Sequence, residues 1–333
     1  MESVKEWFQQ LIKKNKNIGM PIATYPGLQI TGGRVIDLVT DGKEQARCIQ
    51  ALAERFPSLA GVMVMDLSVE AEAFGSRVHF FDDEVPTITG ALVFDLKSIN
   101  ALPVPTVGIA RTGEYLKAAT LAAKSIRKPV FGGMIGPYSL AGRLHGLSDF
   151  MIFVMMEPST AHLLLQKCID FLIDYALAYK KTGANGVIIA EPAAGLLSPE
   201  LCQEFSSDYI KQLVEVVQDD SFAVILHNCG NTVTLVQSML STGSMAYHFG
   251  NAVDMLDILP QVPSGTVVFG NLDPVGVFSH GNPESVAKET LNLMMRTENY
   301  QNFVISSGCD IPPGSPLENL DAFYNVVHVY LST

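Results

Sequence analysis

Short, almost wholly apolar runs alternate along this chain with longer segments in which apolar residues recur every three or four positions. The short runs fall at residues 21–25, 61–65, 104–110, 130–133, 186–190, 223–227, 245–249, 267–270 and 303–306. Most of them do not alternate polar with apolar, which is the pattern of parallel strands covered on their outer face by helices. The longer segments, at 42–56, 112–126, 159–182, 199–218, 283–296 and 317–331, predict those helices. Several open on a capping residue or an early proline: Ser159, Ser198-Pro199, Asn282-Pro283 and Ser315-Pro316. Strand and helix in repeated alternation give an α/β fold, and about eight units give a closed (β/α)8 TIM barrel. The runs number one more than a barrel needs, and 104–110 is the weakest of them. An open doubly wound sheet is the alternative. It is disfavoured because the turn after the first run, Tyr25-Pro26-Gly27, is not a Gly-rich phosphate loop.

Composition narrows the picture. The chain has 333 residues, 48% hydrophobic and 17% charged, with no Pro/Ser-rich linker. We read one barrel domain over 1–333 with a short amphipathic helix at about 1–17. The net charge of −12 and the absence of any basic stripe exclude nucleic acid and anionic membranes as expected partners. No run of apolar residues is long enough to predict a transmembrane helix. The N-terminus lacks the apolar core and cleavage site of a signal peptide, so a cytoplasmic location is expected by default. Five cysteines, an odd and sparse count, argue against a disulfide framework.

A barrel places its chemistry at the C-terminal ends of its strands. Polar residues cluster there: Asp66, Glu191, His227 with Cys229, His248 with Asn251, Asn271 with Asp273, and Cys309 with Asp310. His227 and Cys229 stand two apart at a strand end, so their side chains point the same way. Imidazole and thiolate together suit zinc, and Cys309 at another strand end offers a third ligand. Three protein ligands and one open position describe a catalytic zinc; a structural site would be closed by four.

At these residues the chain resembles the uroporphyrinogen decarboxylase superfamily, and within it the zinc-dependent, corrinoid-linked methyltransferases of the methylcobalamin:coenzyme M type. The matching segments are LSVEAEAFG (67–75), FGGMIGPYSLAG (131–142), GVIIAEPAAGLLSPE (186–200), VILHNCGNTV (224–233), FGNLDP (269–274) and SSGCDIPPGSPLENL (306–320). The resemblance implies that His227, Cys229 and Cys309 hold Zn2+. It also implies that a methyl group moves between methylcobalamin on a separate corrinoid protein and a small substrate, a thiol acceptor being the first expectation. Some relatives run the opposite half-reaction, taking a methyl group from an ether or alcohol onto reduced cobalt. Asp66 sits where the decarboxylases carry their catalytic aspartate, but the arginine-rich segment that grips their poly-carboxylate substrate is absent from 21–27. A mouth without cationic clamps is therefore expected, which argues against decarboxylation. The intact His227, Cys229 and Cys309 argue against the other alternative, a non-catalytic tetrapyrrole- or partner-binding barrel.

Other candidates carry two readings each. Glu72 is either a fourth zinc ligand that substrate displaces or a loop carboxylate bound to backbone N–H groups. Glu191 is a hydrogen-bond partner of His227, a substrate contact, or structural. His248, Asn251, Asn271 and Asp273 are expected to line the mouth. Gly132, Gly133 and Gly136 either admit the corrinoid to the backbone or make tight turns. Cys48, Cys168 and Cys202 fall in helical patterns and are expected to pack.

Overall fold

The computed structural model describes residues 3–14 and 19–329. Among the described residues nine strands form: β1 (Gly61–Val62), β2 (Arg77–His79), β3 (Thr87–Thr89), β4 (Val130–Ile135), β5 (Gly186–Ala190), β6 (Ala223–Asn228), β7 (Ala246–Phe249), β8 (Val267–Leu272) and β9 (Phe303–Ser307). Seven of them make one parallel sheet in the order β1-β4-β5-β6-β7-β8-β9, while β2 and β3 pair antiparallel as a separate ribbon. The fold is thus α/β with a curled parallel sheet.

The two remaining runs do not become strands. In the first, Pro21 has no N–H, the Ile22 N–H donates to Ser307 Oγ (2.9 Å) and the Thr24 N–H to Asp310 Oδ1 (3.3 Å). Side chains have taken the donors that a strand would give to a neighbouring backbone. The segment still touches both edges of the sheet: Met20 N–H donates to the Ile305 carbonyl (3.0 Å), and Leu59 N–H donates to the Gly19 carbonyl (3.3 Å). The run at 104–110 is flanked and interrupted by Pro103 and Pro105, leaves Val104 and Ile109 exposed, and turns through Gly108 at φ 99°.

Helices cover the outer face. Four of the six predicted helices appear nearly as read: Gly42–Arg55, Thr112–Ser125, Pro158–Lys181 and Pro283–Arg296. Leu317–Val329 is the fifth, its predicted last residues lying outside the described ones. The sixth, 199–218, is broken into Pro199–Cys202, a π turn at Gln203–Ser207, and Asp208–Val217. Helices Pro137–His145 and Leu147–Met156 escape a pattern reading. The first is buried on nearly every side and shows no polar stripe, and the second is apolar on its exposed side as well.

Two apolar layers result. Val224 and Leu226 of β6 pack outward against the helices, while Ala223 and Ile225 face inward with Phe131, Ile188, Ala246, Val267, Phe269 and Val304. Helix Val4–Lys14 closes the inner layer at the N-terminal ends of the strands. Phe8 lies 6.2 Å from Phe131 and 6.4 Å from Phe269, centroid to centroid. The predicted residues 1–2 and 15–17 of this helix lie outside the described ones. With that end plugged, the inward-facing positions left for chemistry are those at the C-terminal ends. Among the described residues no helix is long and apolar enough to cross a membrane.

Candidate metal centre

Period-two alternation carries the inner face of β6 from Ala223 through Ile225 to His227, and beyond the strand to Cys229. The same step leads from Ala246 to His248 in β7 and from Val304 to Ser306 in β9. His227 and His248 are register partners. A ligand nitrogen of His227 and the sulfurs of Cys229 and Cys309 lie within 4.8 Å of one another. The loop after β7 must come close for this: a Cβ on Gly250 would sit 2.4 Å from the Cys229 Cα. That glycine was not singled out by sequence reasoning, and only the close approach of the two loops explains it.

The hydrogen bonds fix which nitrogen of His227 faces the sulfurs. Ser306 Oγ donates its single proton to the Met20 carbonyl (2.7 Å), so it accepts from His248 Nε2 (2.9 Å). The neutral His248 ring then presents a lone pair at Nδ1, which accepts from His227 Nδ1 at 2.8 Å. The His227 Nδ1 also lies 3.3 Å from the His248 carbonyl. His227 Nε2 is left with a lone pair, buried and without a hydrogen-bond partner. An orphaned acceptor is costly unless something electron-poor meets it, and two sulfurs converge on the same point. This donor set fits zinc. The hydrogen bond from Cys309, and after it His227, hold the Cys229 thiol well below its ordinary value, while that same bond and burial push Cys309 up. His248 is therefore a residue that orients His227, in place of its predicted position lining the mouth.

Several other predicted site residues turn out to be held by the fold. The Glu191 carboxylate accepts the N–H groups of Tyr138 (2.9 Å) and Ser139 (2.6 Å) and the Ser206 hydroxyl (3.2 Å), capping helix Pro137–His145. Its only tie to His227 is through the backbone, Glu191 N–H to the His227 carbonyl at 2.8 Å. Asn271 Nδ2 donates to the carbonyls of Gly250 and Val253, and Asp273 accepts from the N–H groups of Val275 and Gly276. Gly133 is buried, and a Cβ there would meet Met65 Sδ at 2.6 Å and the Val64 carbonyl at 2.7 Å. Close packing against the segment that follows β1 accounts for it. Cys48, Cys168 and Cys202 are buried in helices, as expected.

The largest departure concerns cations. The mouth is not free of them. Arg111, which opens helix Thr112–Ser125 and is absent from every motif singled out, is buried beside Asp66. Its Nη1 is ion-paired with Asp66 Oδ2, its Nη2 donates to Ser68 Oγ (2.7 Å), and its Nε donates to Glu72 Oε2 (2.6 Å). Glu72 is thus drawn to Arg111 and is not brought to the group of His227, Cys229 and Cys309. Asp66 also accepts the Ser68 N–H (2.9 Å) and hydroxyl (2.6 Å) on Oδ1 and the Tyr115 hydroxyl (3.4 Å) on Oδ2, so all its lone pairs are engaged. Neighbouring Glu70 is buried, takes the Ile135 N–H on Oε1 (3.0 Å), and has no partner on Oε2. Burial pushes its carboxyl up to about 7, against the hydrogen bond from Ile135.

That shift predicts a pH dependence. A folded carboxyl held near 7, against about 4.5 in the unfolded chain, binds its proton more tightly in the folded state. Its contribution is present in full below about pH 4.5 and is lost as pH rises through 7. The melting temperature should therefore fall between pH 5.5 and 8, and the fall should shrink in Glu70→Gln. Equal slopes in the two proteins would remove Glu70 from the account.

Comparison with known proteins agrees with this architecture. The uroporphyrinogen decarboxylase (URO-D) family profile matches residues 22–330. The methylcobamide:CoM methyltransferase MtbA of Methanosarcina mazei is 31% identical over 260 residues, 77% of this chain and 75% of that protein. A uroporphyrinogen decarboxylase of Coxiella burnetii is 28% identical over 82% of this chain and 78% of its own length. A solved methyltransferase structure from Methanosarcina mazei superposes with a TM-score of 0.87 at 20% identity, over 99% of both chains. The chain therefore belongs to the uroporphyrinogen decarboxylase family, with methylcobamide:CoM methyltransferases among the relatives most similar to it in sequence.

Proposed function

We propose that this protein is a zinc-dependent methyltransferase that moves a methyl group between a corrinoid carried on a partner protein and a small substrate, with a thiol as acceptor. The observation that carries this reading is the buried, unpartnered His227 Nε2 facing the sulfurs of Cys229 and Cys309. In the direction proposed, a thiol and a methylated corrinoid give a methyl thioether, the demethylated corrinoid and the proton of the thiol. Zinc, when bound, would keep a coordinated thiol deprotonated and nucleophilic. The chain's own residues do the rest. Ser306 and His248 hold His227 in one tautomer and one orientation. Cys229 and Cys309 supply soft, anionic donors. Gly250 makes room for Cys229, and Asn271 ties down the loop that contains Gly250. The site lies at the C-terminal face of what we take to be an eightfold barrel, with residues 19–24 standing at its first position.

Methylcobalamin and a panel of small thiols, followed by absorbance of the corrinoid, test the reading. The expected result is loss of the methylcobalamin spectrum that requires thiol and disappears in Cys229→Ser. Efficient decarboxylation of uroporphyrinogen with no response to methylcobalamin would overturn it. Decarboxylation is the second reading because Asp66 stands at the mouth with a cation. Arg111 is already committed to Asp66, Ser68 and Glu72, however, and cannot also grip a substrate carboxylate.

A further inference from the structure

The donors at the metal centre are not equally well supported by the sheet. His227 and Cys229 come from β6, which pairs with β5 on one side and β7 on the other. Cys309 follows β9, the last strand in the sheet order, which pairs with β8 alone. Toward β7 and β8 its loop is pinned. The Gly308 N–H donates to the Leu272 carbonyl (2.6 Å), and a Cβ on Gly308 would sit 2.6 Å from the Asn251 nitrogen. On the other side lies the gap between β9 and β1, where no strand ladder runs among the described residues.

Asp310, the residue after Cys309, spans that gap. Its Oδ2 accepts the Thr24 hydroxyl (2.7 Å) and its Oδ1 the Thr24 N–H (3.3 Å), across 286 positions of sequence. The Met65 N–H, just past β1, bonds to the same carboxylate. One side chain thus joins the loop of a metal ligand both to the segment at 19–24 and to the end of β1. Thr24 is fully buried, so solvent cannot replace its hydroxyl bond. The Ile311 N–H continues the seam by donating to the Ile22 carbonyl (2.9 Å). A loop held on one side only would leave the Cys309 sulfur loosely placed, and a metal site tolerates distance errors of only about 0.2 Å.

We propose that Asp310 is a positioning residue for the metal site: with Thr24 as its partner it closes the sheet at the mouth and fixes where Cys309 presents its sulfur. This role rests on the zinc of the methyltransferase reading, and not on the identity of the substrate.

Metal-stripped protein titrated with Co2+, and then with Zn2+ in competition, tests it, because thiolate-to-cobalt absorbance reports how many sulfurs reach the metal. Asp310→Asn turns one acceptor oxygen into a donor that faces donors. It should weaken zinc binding about ten- to a hundredfold and lower the thiolate-to-cobalt absorbance per bound ion. Thr24→Val keeps the shape and leaves every charge in place, so a loss there is positional and not electrostatic. It should weaken zinc about three- to tenfold, the worth of one hydrogen bond, and Thr24→Ser, which keeps the hydroxyl, should recover it. Ser307→Ala removes a different bond across the same gap, the one from the Ile22 N–H (2.9 Å). It should lower the melting temperature as Thr24→Val does, yet leave zinc affinity and cobalt absorbance at the parent values. Parent-like zinc affinity in both Asp310→Asn and Thr24→Val, or a loss in Ser307→Ala equal to that in Thr24→Val, overturns the role given to Asp310. A parent that binds neither Co2+ nor Zn2+ through sulfur rejects the zinc reading itself, and this role with it.

Discussion

Replacing either Cys229 or Cys309 by serine should remove zinc from the purified protein, from about one ion per chain to near none, with the sheet intact. Two ligands would remain, and a serine hydroxyl is a poor substitute for a thiolate as a donor to this metal. The fold should survive because both cysteines are only partly buried and belong to neither apolar layer. The inner layer is completed at the opposite end of the strands by Val4 and Phe8, well away from the site. Elemental analysis gives the metal content. Far-ultraviolet circular dichroism should be superimposable on that of the chelator-treated parent. Full zinc in both variants would show that these sulfurs are not ligands.

The second large effect concerns stability. Arg111→Met should destabilise the protein by about 3–5 kcal/mol, the usual cost of leaving one member of a buried ion pair alone. Asp66 would keep its bonds from Ser68 but lose its only ion-pair partner, in a place where its side chain is 0% exposed. The double variant Asp66→Asn/Arg111→Met should recover a large part of that loss, because the uncompensated charge is gone. Glu72→Gln should cost little by comparison, since the Glu72 side chain is 22% exposed and solvent takes over for the arginine. Urea denaturation measures all three. An Arg111→Met midpoint equivalent to less than 1 kcal/mol of loss would mean that solvent reaches Asp66 and that the pair is not buried in the sense argued above.

These two experiments probe different kinds of legibility. The parallel strands were readable because burial on both faces makes each a continuous apolar run. The candidate metal ligands His227 and Cys229 were readable because period two at a strand end dictates where they point. Both are local consequences of chain geometry. The helix Pro137–His145 left no such trace, since burial on nearly every side erases the amphipathic stripe.

What the amino-acid order determined by itself was therefore the α/β layering, the seven parallel strands of the sheet, and the meeting of a histidine and two cysteines at strand ends. What only the tertiary structure decided was who partners whom. Arg111 reaches Asp66 across 45 positions, Glu191 caps a helix that begins 54 positions earlier, and Ser306 sets the tautomer of His227 through His248. Residues 19–22 meet both edges of the sheet without becoming a strand, because Ser307 and Asp310, far along the chain, take their donors. The physical reason is the same in each case. Hydrophobic patterning is set by neighbours a few residues away, but a hydrogen bond or ion pair depends on distances of about 3 Å between groups that only the packed fold brings together.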